Sequence, residues 1–367
     1  MLNGTIDPQK DYVAGLVPDA AARWPTITVA RDHAADILNL IQKSIRDLTT
    51  DDLDFVAFGS LARREWTTGS DVDWTLLVDG QASSEHRIAV RAAERAISRL
   101  EFKGTQLKEP GAEGIFGSIT FSHDIVHHIG GQADTNRNTT QRILLLLEAV
   151  PLRDAGDDVG AFDRTVRQVL NRYLVRDSNF HSAADQRSRI PRFLLNDIVR
   201  YWRTMCVDFA YKDWEQGGKK WALRNIKLRT SRKFLFVSGL LAVFSCHNND
   251  SLRPKGADRE SHLVTLQAHL SQFVRSTPLN IISWTLGCLG LSEPCRKLLD
   301  HYEAFLRQLN DPETRERLAK LADTAAYDDP RFLECREISH RMQASLKELF
   351  FRSDSPFWEF VTEYGVF

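Results

Sequence analysis

Phe58-Gly59-Ser60-Leu61-Ala62-Arg63-Arg64-Glu65-Trp66-Thr67-Thr68-Gly69-Ser70-Asp71-Val72-Asp73 concentrates more reactive chemistry than any other passage of the chain. Asp71 and Asp73 stand two apart in a strand-forming run, so the period of two places both carboxylates on one face, able to converge on shared divalent cations. Hard oxygen donors of this kind suit Mg²⁺. Gly59 lets the backbone approach a ligand closely, and Ser60 at the start of the next segment offers an N–H and a hydroxyl to a phosphate. Arg63 or Arg64 adds a donor for a phosphate oxygen, and Glu65 can pair with one of them to fix its orientation. Taken singly, a Gly-Ser pair is an ordinary turn and Asp-x-Asp an ordinary polar strand face. Together, eleven residues from Ser60 to Asp71 with apolar strands on both sides, they mark a place where phosphate and metals meet. In such a site two ions about 3.5–4 Å apart bridge attacking and leaving oxygens while the protein positions and neutralises charge.

Working outward, Arg31 to Leu48 carries Ala34, Ala35, Ile37, Leu38, Ile41 and Ile45 at helical spacing, which predicts an amphipathic helix ahead of the first strand, Phe55 to Phe58. A second strand follows over Val72 to Val78, closed by Asp79-Gly80, then a helix over Glu85 to Leu100 and one or two strands within Ile115 to Ile129. This succession predicts a small mixed sheet covered by helices. From Thr139 onward apolar residues recur every three to four positions and hairpin signals disappear. Helices are expected over Thr140 to Ala149, Gly160 to Tyr173, Pro191 to Tyr211, Leu228 to Phe244, His262 to Val274, Glu293 to Leu309 and Pro330 to Phe350. The expected class is therefore α+β, with a sheet-bearing domain over 1–150 and an all-α domain over 151–367, divided near Pro151 where an acidic, glycine-containing stretch interrupts the helices.

The quoted stretch resembles the nucleotidyltransferase signature of the DNA polymerase β superfamily, a Gly-Ser followed by Asp-hydrophobic-Asp. The set Gly59-Ser60, Arg63, Glu65, Thr67 and Ser70-Asp71-x-Asp73 is most similar to the branch containing the bacterial uridylyltransferase/adenylyltransferases of nitrogen control and related nucleotidyltransferases. The likeness covers residues 50 to 150 well and the helical remainder loosely. It implies transfer of a nucleoside monophosphate from an NTP to an acceptor hydroxyl with release of pyrophosphate, supported by Mg²⁺ or Mn²⁺ held by Asp71 and Asp73. It also implies a third carboxylate on a later strand. Asp124, in Thr120-Phe121-Ser122-His123-Asp124-Ile125-Val126, is the first candidate and Glu113, in the glycine-rich loop Gly111 to Gly117, the second. Gly59, Ser60, Arg63 and Ser70 would meet the nucleotide. The competing class is a catalytically silent nucleotide-binding regulatory or interaction module, for which an intact Asp71-x-Asp73 pair has no use.

Other features carry less. His123, His127 and His128 crowd around Asp124, but their spacing defines no coordination geometry, and they read as polar strand residues, with His127 at most contacting substrate. Gly130 to Asn136 reads as a glycine turn running into a helix N-cap. Gly217 to Phe234 holds Lys219, Lys220, Arg224, Lys227, Arg229, Arg232 and Lys233 with no acidic residue. It is either a solvated basic face or, as the resemblance implies for a second helical domain, a wall from which Arg224 and Lys227 close over a triphosphate. Asn196, Asp197, Arg200, Arg203 and Thr204 form a polar stripe on an otherwise apolar helix, which an internal Asp197–Arg200 or Asn196–Arg200 pair would satisfy.

Bulk properties narrow the classes. The 367 residues, 43% hydrophobic and 26% charged, are enough for two packed domains or one large unit. A formal charge of −1 gives no overall attraction to nucleic acid or an anionic membrane, so an extended nucleic-acid track is disfavoured and a protein or small acceptor mildly preferred over an RNA end. Five scattered cysteines without CxxC spacing read as core thiols in a reducing compartment. The polar start of the chain and the lack of any apolar run near the roughly 18 residues that span a bilayer imply no membrane and a cytoplasmic location.

Overall fold

The computed structural model describes residues 2, 4–108, 116–153, 159–177, 190–215, 217–247, 249–252 and 258–364. The first part of the chain runs α1 (Ala20–Arg23), α2 (Pro25–Ile45), β1 (Leu53–Phe58), α3 (Gly59–Ala62), β2 (Asp73–Val78), α4 (Glu85–Ile97), the small hairpin β3 (Glu101–Phe102) and β4 (Thr105–Gln106), β5 (Ile119–Phe121), α5 (Ser122–His127), α6 (Asn136–Leu147) and β6 (Val150–Pro151). Helices make up the rest: α7 (Ala161–Val175), α8 (Arg192–Glu215), α9 (Trp221–Arg229), α10 (Ser231–Ser245), α11 (Arg259–Val274), α12 (Pro278–Cys288), α13 (Ser292–Asn310), α14 (Pro312–Lys320), α15 (Asp323–Ala326), α16 (Pro330–Phe351) and α17 (Trp358–Tyr364). The protein is thus a mostly helical α/β structure around one small mixed sheet.

The sheet has the order β5-β2-β1-β6. β1 and β2 pair antiparallel from Leu53↔Val78 to Phe58↔Asp73, β6 extends β1 antiparallel, and β5 joins β2 in parallel with Val78 opposite Phe121. Alternation along the strands sorts side chains between two apolar clusters. Phe55, Ala57, Trp74, Leu76 and Val78 pack with Ala34, Ile37, Ile41 and Ile45 of α2 and with Ala93 and Ile97 of α4. Val56, Phe58 and Leu77 face the other way, into the cluster built with the later helices. Odd-numbered positions of β2 therefore look toward the helical half; Asp73 belongs to that set, and Asp71 stands two residues before the strand in a bridge to Lys108.

The second cluster does not divide at Val150. It runs from Ile6, Trp24 and Ile27 through Phe58 and Leu77 to Phe332 and Phe360. The N-terminal segment is tied to α13 by polar contacts as well: Trp24 donates from Nε1 to Asp300 at 2.8 Å, and Glu303 accepts from the amides of Thr26 and Ile27 at 3.0 and 2.9 Å. Those two amides lie in the first turn of α2, where no intrahelical partner exists, so a carboxylate from the far end of the chain completes that turn.

Two elements depart from expectation. Among the described residues of the run Ile115 to Ile129 three form strand, after which Ser122 to His127 forms α5, so His123, Asp124 and His127 stand on a helical turn instead of a strand, with His128 at its end. The single helix expected over Leu228 to Phe244 is two, because Thr230 leaves the helical region (φ −121°, ψ −94°) and separates α9 from α10. Elsewhere Thr135 caps α6 by accepting from the amide of Asn138 at 3.1 Å, as the glycine-turn reading of Gly130 to Asn136 requires.

Asp197 and Arg200 of the polar stripe on α8 are taken up between helices, while Asn196 and Arg203 are exposed. Arg142 of α6 is fully buried and uses all five N–H donors: Tyr173 Oη at 2.6 Å, the Ile125 carbonyl at 3.3 Å, both carboxylate oxygens of Asp134 at 3.0 Å, and Asp197 of α8 at 2.7 Å. Arg200 adds a second cation on Asp134 at 3.1 Å, and Tyr173 donates to Asp197 at 2.6 Å. Asp197 and Arg200 also lie 3.9 Å apart. Burial alone would raise the Asp134 pKa, and these donors hold it below the ordinary carboxylate value. Among the described residues no helix is long and apolar enough to cross a membrane.

Candidate active site

β1 ends at Phe58, and Gly59 turns the chain into α3 with φ +69°, a left-handed conformation that favours glycine. A Cβ at this position would lie 2.6 Å from Oδ2 of Asp73. The close approach that Gly59 permits is thus to the Asp73 carboxylate, which rests against the backbone of the turn. Register explains it, since Phe58 is directly opposite Asp73.

Around the turn three side chains form a buried chain of charge. Arg63 donates from Nε to Glu65 at 2.9 Å and from Nη1 to Glu148, and Glu148 also accepts from the Gly59 amide at 3.2 Å. Burial alone would depress the Arg63 guanidinium, and the Glu65 and Glu148 carboxylates more than offset it, leaving its pKa well above the usual arginine value. Glu65 is held above its ordinary value by burial despite Arg63. The expected Arg63–Glu65 pairing is present. Through Nε and Nη1 Arg63 ties Glu65 and Glu148 to the turn. The Gly59 amide is likewise occupied, and Ser60 is left as the hydroxyl of the turn that makes no hydrogen bond among the described residues.

The loop to β2 is closed from inside and outside. Ser70 Oγ lies 3.3 Å from the Thr67 amide and 3.2 Å from its hydroxyl, so Ser70, expected at the nucleotide, shapes the loop. From the helical half, Arg315 of α14 donates to Thr67 Oγ1 at 3.1 Å and the Gly69 carbonyl at 2.7 Å, and Asn310 of α13 accepts from the Thr68 amide at 3.1 Å. Val72 donates to the Lys108 carbonyl at 2.9 Å. Asp71 and Asp73 are therefore fixed on both sides.

Asp73 is half-buried. Desolvation first, then Glu148 and Asp71, push its pKa to about 7, while Lys227 and Arg63 pull the other way. Opposite stands Lys227 of α9, whose pKa burial lowers to about 7, helped by Arg315, Arg232 and Arg63 and opposed by Asp71. Neither Lys227 nor Arg232 makes an ion pair or a side-chain hydrogen bond among the described residues. Arg315 is depressed by burial and raised by Asp71. The geometry thus sets Asp71 and Asp73 against Lys227 and Arg315 of the helical half, with Arg232 beside Lys227, and among the described residues no anion pairs these three cations directly. Asp73, pushed toward protonation by burial and by the carboxylates beside it, is a donor that a divalent cation relieves, and with the hard oxygens of Asp71 two positions away it fits Mg²⁺.

Other expected members are not brought together here. Asp124 follows β5, whose last residue is level with Val78, at the opposite end of β2 from Asp73, a separation of about 16 Å at ~3.3 Å per residue. It cannot share a cation with Asp71 and Asp73 in this arrangement, because the parallel register carries the chain away from them. Glu113 lies outside the described residues. Arg224 is turned to α8, donating to the Lys212 carbonyl at 3.1 Å and lying 3.7 Å from Asp213. Sequence reasoning missed Glu148 and Arg315, and named Arg232 only as one member of the basic block Gly217 to Phe234. Only Glu148 left a trace, as a lone charge ending the apolar run Ile143 to Leu147. No family model matches the chain, and no curated protein does.

Proposed function

We propose that the protein is a cytoplasmic metal-dependent nucleotidyltransferase that moves a nucleoside monophosphate from an NTP to an acceptor hydroxyl on a protein, a small molecule or an RNA end. Residues 1–150 would carry the catalytic carboxylates and 151–367 the opposing basic wall. One observation carries the reading: Asp71 and Asp73 lie against Lys227 and Arg315, with Arg232 beside Lys227, cations that no carboxylate of the described residues neutralises by direct contact. That pairing of an acidic and a basic wall is what a triphosphate with its cations would fill. Asp71 and Asp73 would hold Mg²⁺ or Mn²⁺, which when bound supplies charge neutralisation on the transferring phosphoryl group. Lys227 and Arg232 bind and orient the phosphates, Ser60 offers its hydroxyl to them, and Arg315 keeps the Thr67–Gly69 loop, and with it Asp71, in place.

A nucleotide-binding module without turnover remains the second reading, favoured by the distance of Asp124 and by the engagement of Glu148 with Arg63 and Gly59. Incubation of the purified chain with each α-labelled NTP, Mg²⁺ or Mn²⁺ and lysate separates the two. The transferase reading expects label on an acceptor, abolished by Asp71→Ala with Asp73→Ala. NTP binding without label transfer would move the assignment to the silent module, and absence of NTP binding would end both.

A further inference from the structure

The face of α5 away from the core is made of donors. Ser122, Ile125 and Val126 point inward, so the remaining residues of the turn, His123, Asp124 and His127, with His128 just beyond, project together into solvent. His123 Nδ1 and His128 Nδ1 lie 3.8 and 4.0 Å from Asp124 Oδ1. The three ligand atoms of His123, Asp124 and His128 all fall within 4.8 Å of one another, the only such group among the described residues. His127 instead stacks on His123 with ring centroids 4.6 Å apart, bracing its ring.

The turn beneath is held from several directions. Arg142 bonds the Ile125 carbonyl, Ser122 donates to Asp79 at the end of β2 at 2.6 Å, and Gly131 donates to the His128 carbonyl at 2.9 Å. The backbone is therefore fixed while the donors are free to move. Metal–ligand bonds of roughly 2.0–2.1 Å in a tetrahedron put ligand atoms about 3.3–3.4 Å apart. The two histidine–aspartate pairs need to close by well under about 1 Å to reach that spacing, and the group as a whole, within 4.8 Å, by no more than about 1.5 Å. The Asn138 amide nitrogen, 3.4 Å from His128 Nδ1, competes for the same lone pair. It also bonds the Ala133 carbonyl at 3.2 Å, so it keeps a partner if displaced.

We propose that His123, Asp124 and His128 form a transition-metal site of the zinc class, with two imidazole nitrogens, one carboxylate oxygen and a fourth position open to water. Two nitrogen donors select Zn²⁺ or Co²⁺ over Mg²⁺. The site is at the far end of β2 from Asp71 and Asp73 and is independent of the nucleotide reading. It fastens the connection between β5 and α6 by joining both ends of α5 through one ion.

Chelator-stripped full-length protein is titrated with Zn²⁺ by calorimetry and with Co²⁺ by visible absorption, in excess Mg²⁺ to occupy oxygen-only sites. One equivalent is expected to bind in the micromolar range or tighter. Binding should weaken at least tenfold in Asp124→Asn and His128→Gln and persist in His127→Gln and in the Asp71→Asn, Asp73→Asn double variant. The proposal is overturned by the lack of a one-equivalent step, by binding that survives His123→Gln with His128→Gln, or by its loss in the Asp71, Asp73 variant. These side chains are exposed, so their substitution leaves the fold in place to be measured.

Discussion

Gly59 and Asp73 form a matched pair: the residue without a side chain exists where the carboxylate needs its space. Gly59→Ala would add a left-handed backbone penalty of about 1–2 kcal/mol and drive its methyl into Asp73 Oδ2, 2.6 Å away. A lowered denaturation midpoint together with loss of divalent-ion binding is expected, and full metal affinity in this variant would refute the pairing. Asp73 also sets a pH dependence. Its folded pKa of about 7 lies above the unfolded carboxylate value, so its contribution to stability is fully present near pH 4 and lost as pH rises through 7. Thermal scans of metal-free protein should therefore show the native chain losing ground to Asp73→Asn as pH rises from 4 to 8, with Mg²⁺ restoring it. Parallel pH curves for the two would mean that Asp73 is solvated. Glu148 is the converse case. Glu148→Gln leaves the buried Arg63 with one carboxylate, a change expected to cost on the order of 3 kcal/mol in chemical denaturation.

At the scale of elements, what the sequence made legible follows from where the information lies. β1, β2 and the helix before them were readable because local alternation and helical spacing coincide with the burial that tertiary structure imposes; α2 buries Ile27, Ala30, Ala34, Ile37, Leu38, Ile41 and Ile45. The Asp71-x-Asp73 pair was readable for the same reason, since a period of two decides its face. α5 was misread as strand because Ile125 and Val126 are β-branched and short apolar runs carry no distinct period. The break at Thr230 was invisible because nothing in Leu228 to Phe244 punctuates it; its hydroxyl bonds the Ile226 carbonyl at 2.6 Å in a site formed by packing. Arg315 had no local signal at all, being one arginine in a charged helix 248 positions from Thr67. Its role is testable at this scale: Arg315→Ala frees the Thr67–Gly69 loop, and a fall in kcat or rise in KM of about tenfold or more is expected with little change in melting temperature. Unchanged kinetics would reduce Arg315 to a surface tie.

For the molecule as a whole, one apolar cluster spans both sides of Val150, and Glu303 finishes the first turn of α2. The sheet and the helical half should therefore unfold as one cooperative unit, giving a single calorimetric transition with equal calorimetric and van't Hoff enthalpies. Two resolved transitions would show that the halves are separable. Glu303→Ala leaves the Thr26 and Ile27 amides without their carboxylate, and a loss of about 1–3 kcal/mol is expected in that same transition. Arg142, with every donor used and two carboxylates depending on it, constrains descent as well as folding. A lineage that loses the arginine leaves Asp134 and Asp197 to Arg200, Tyr173 and the Gly130 amide, and one that loses an aspartate leaves the buried arginine short of an acceptor, so each single change costs stability. The three residues, with Tyr173 beside them, are therefore expected to change together more often than one at a time.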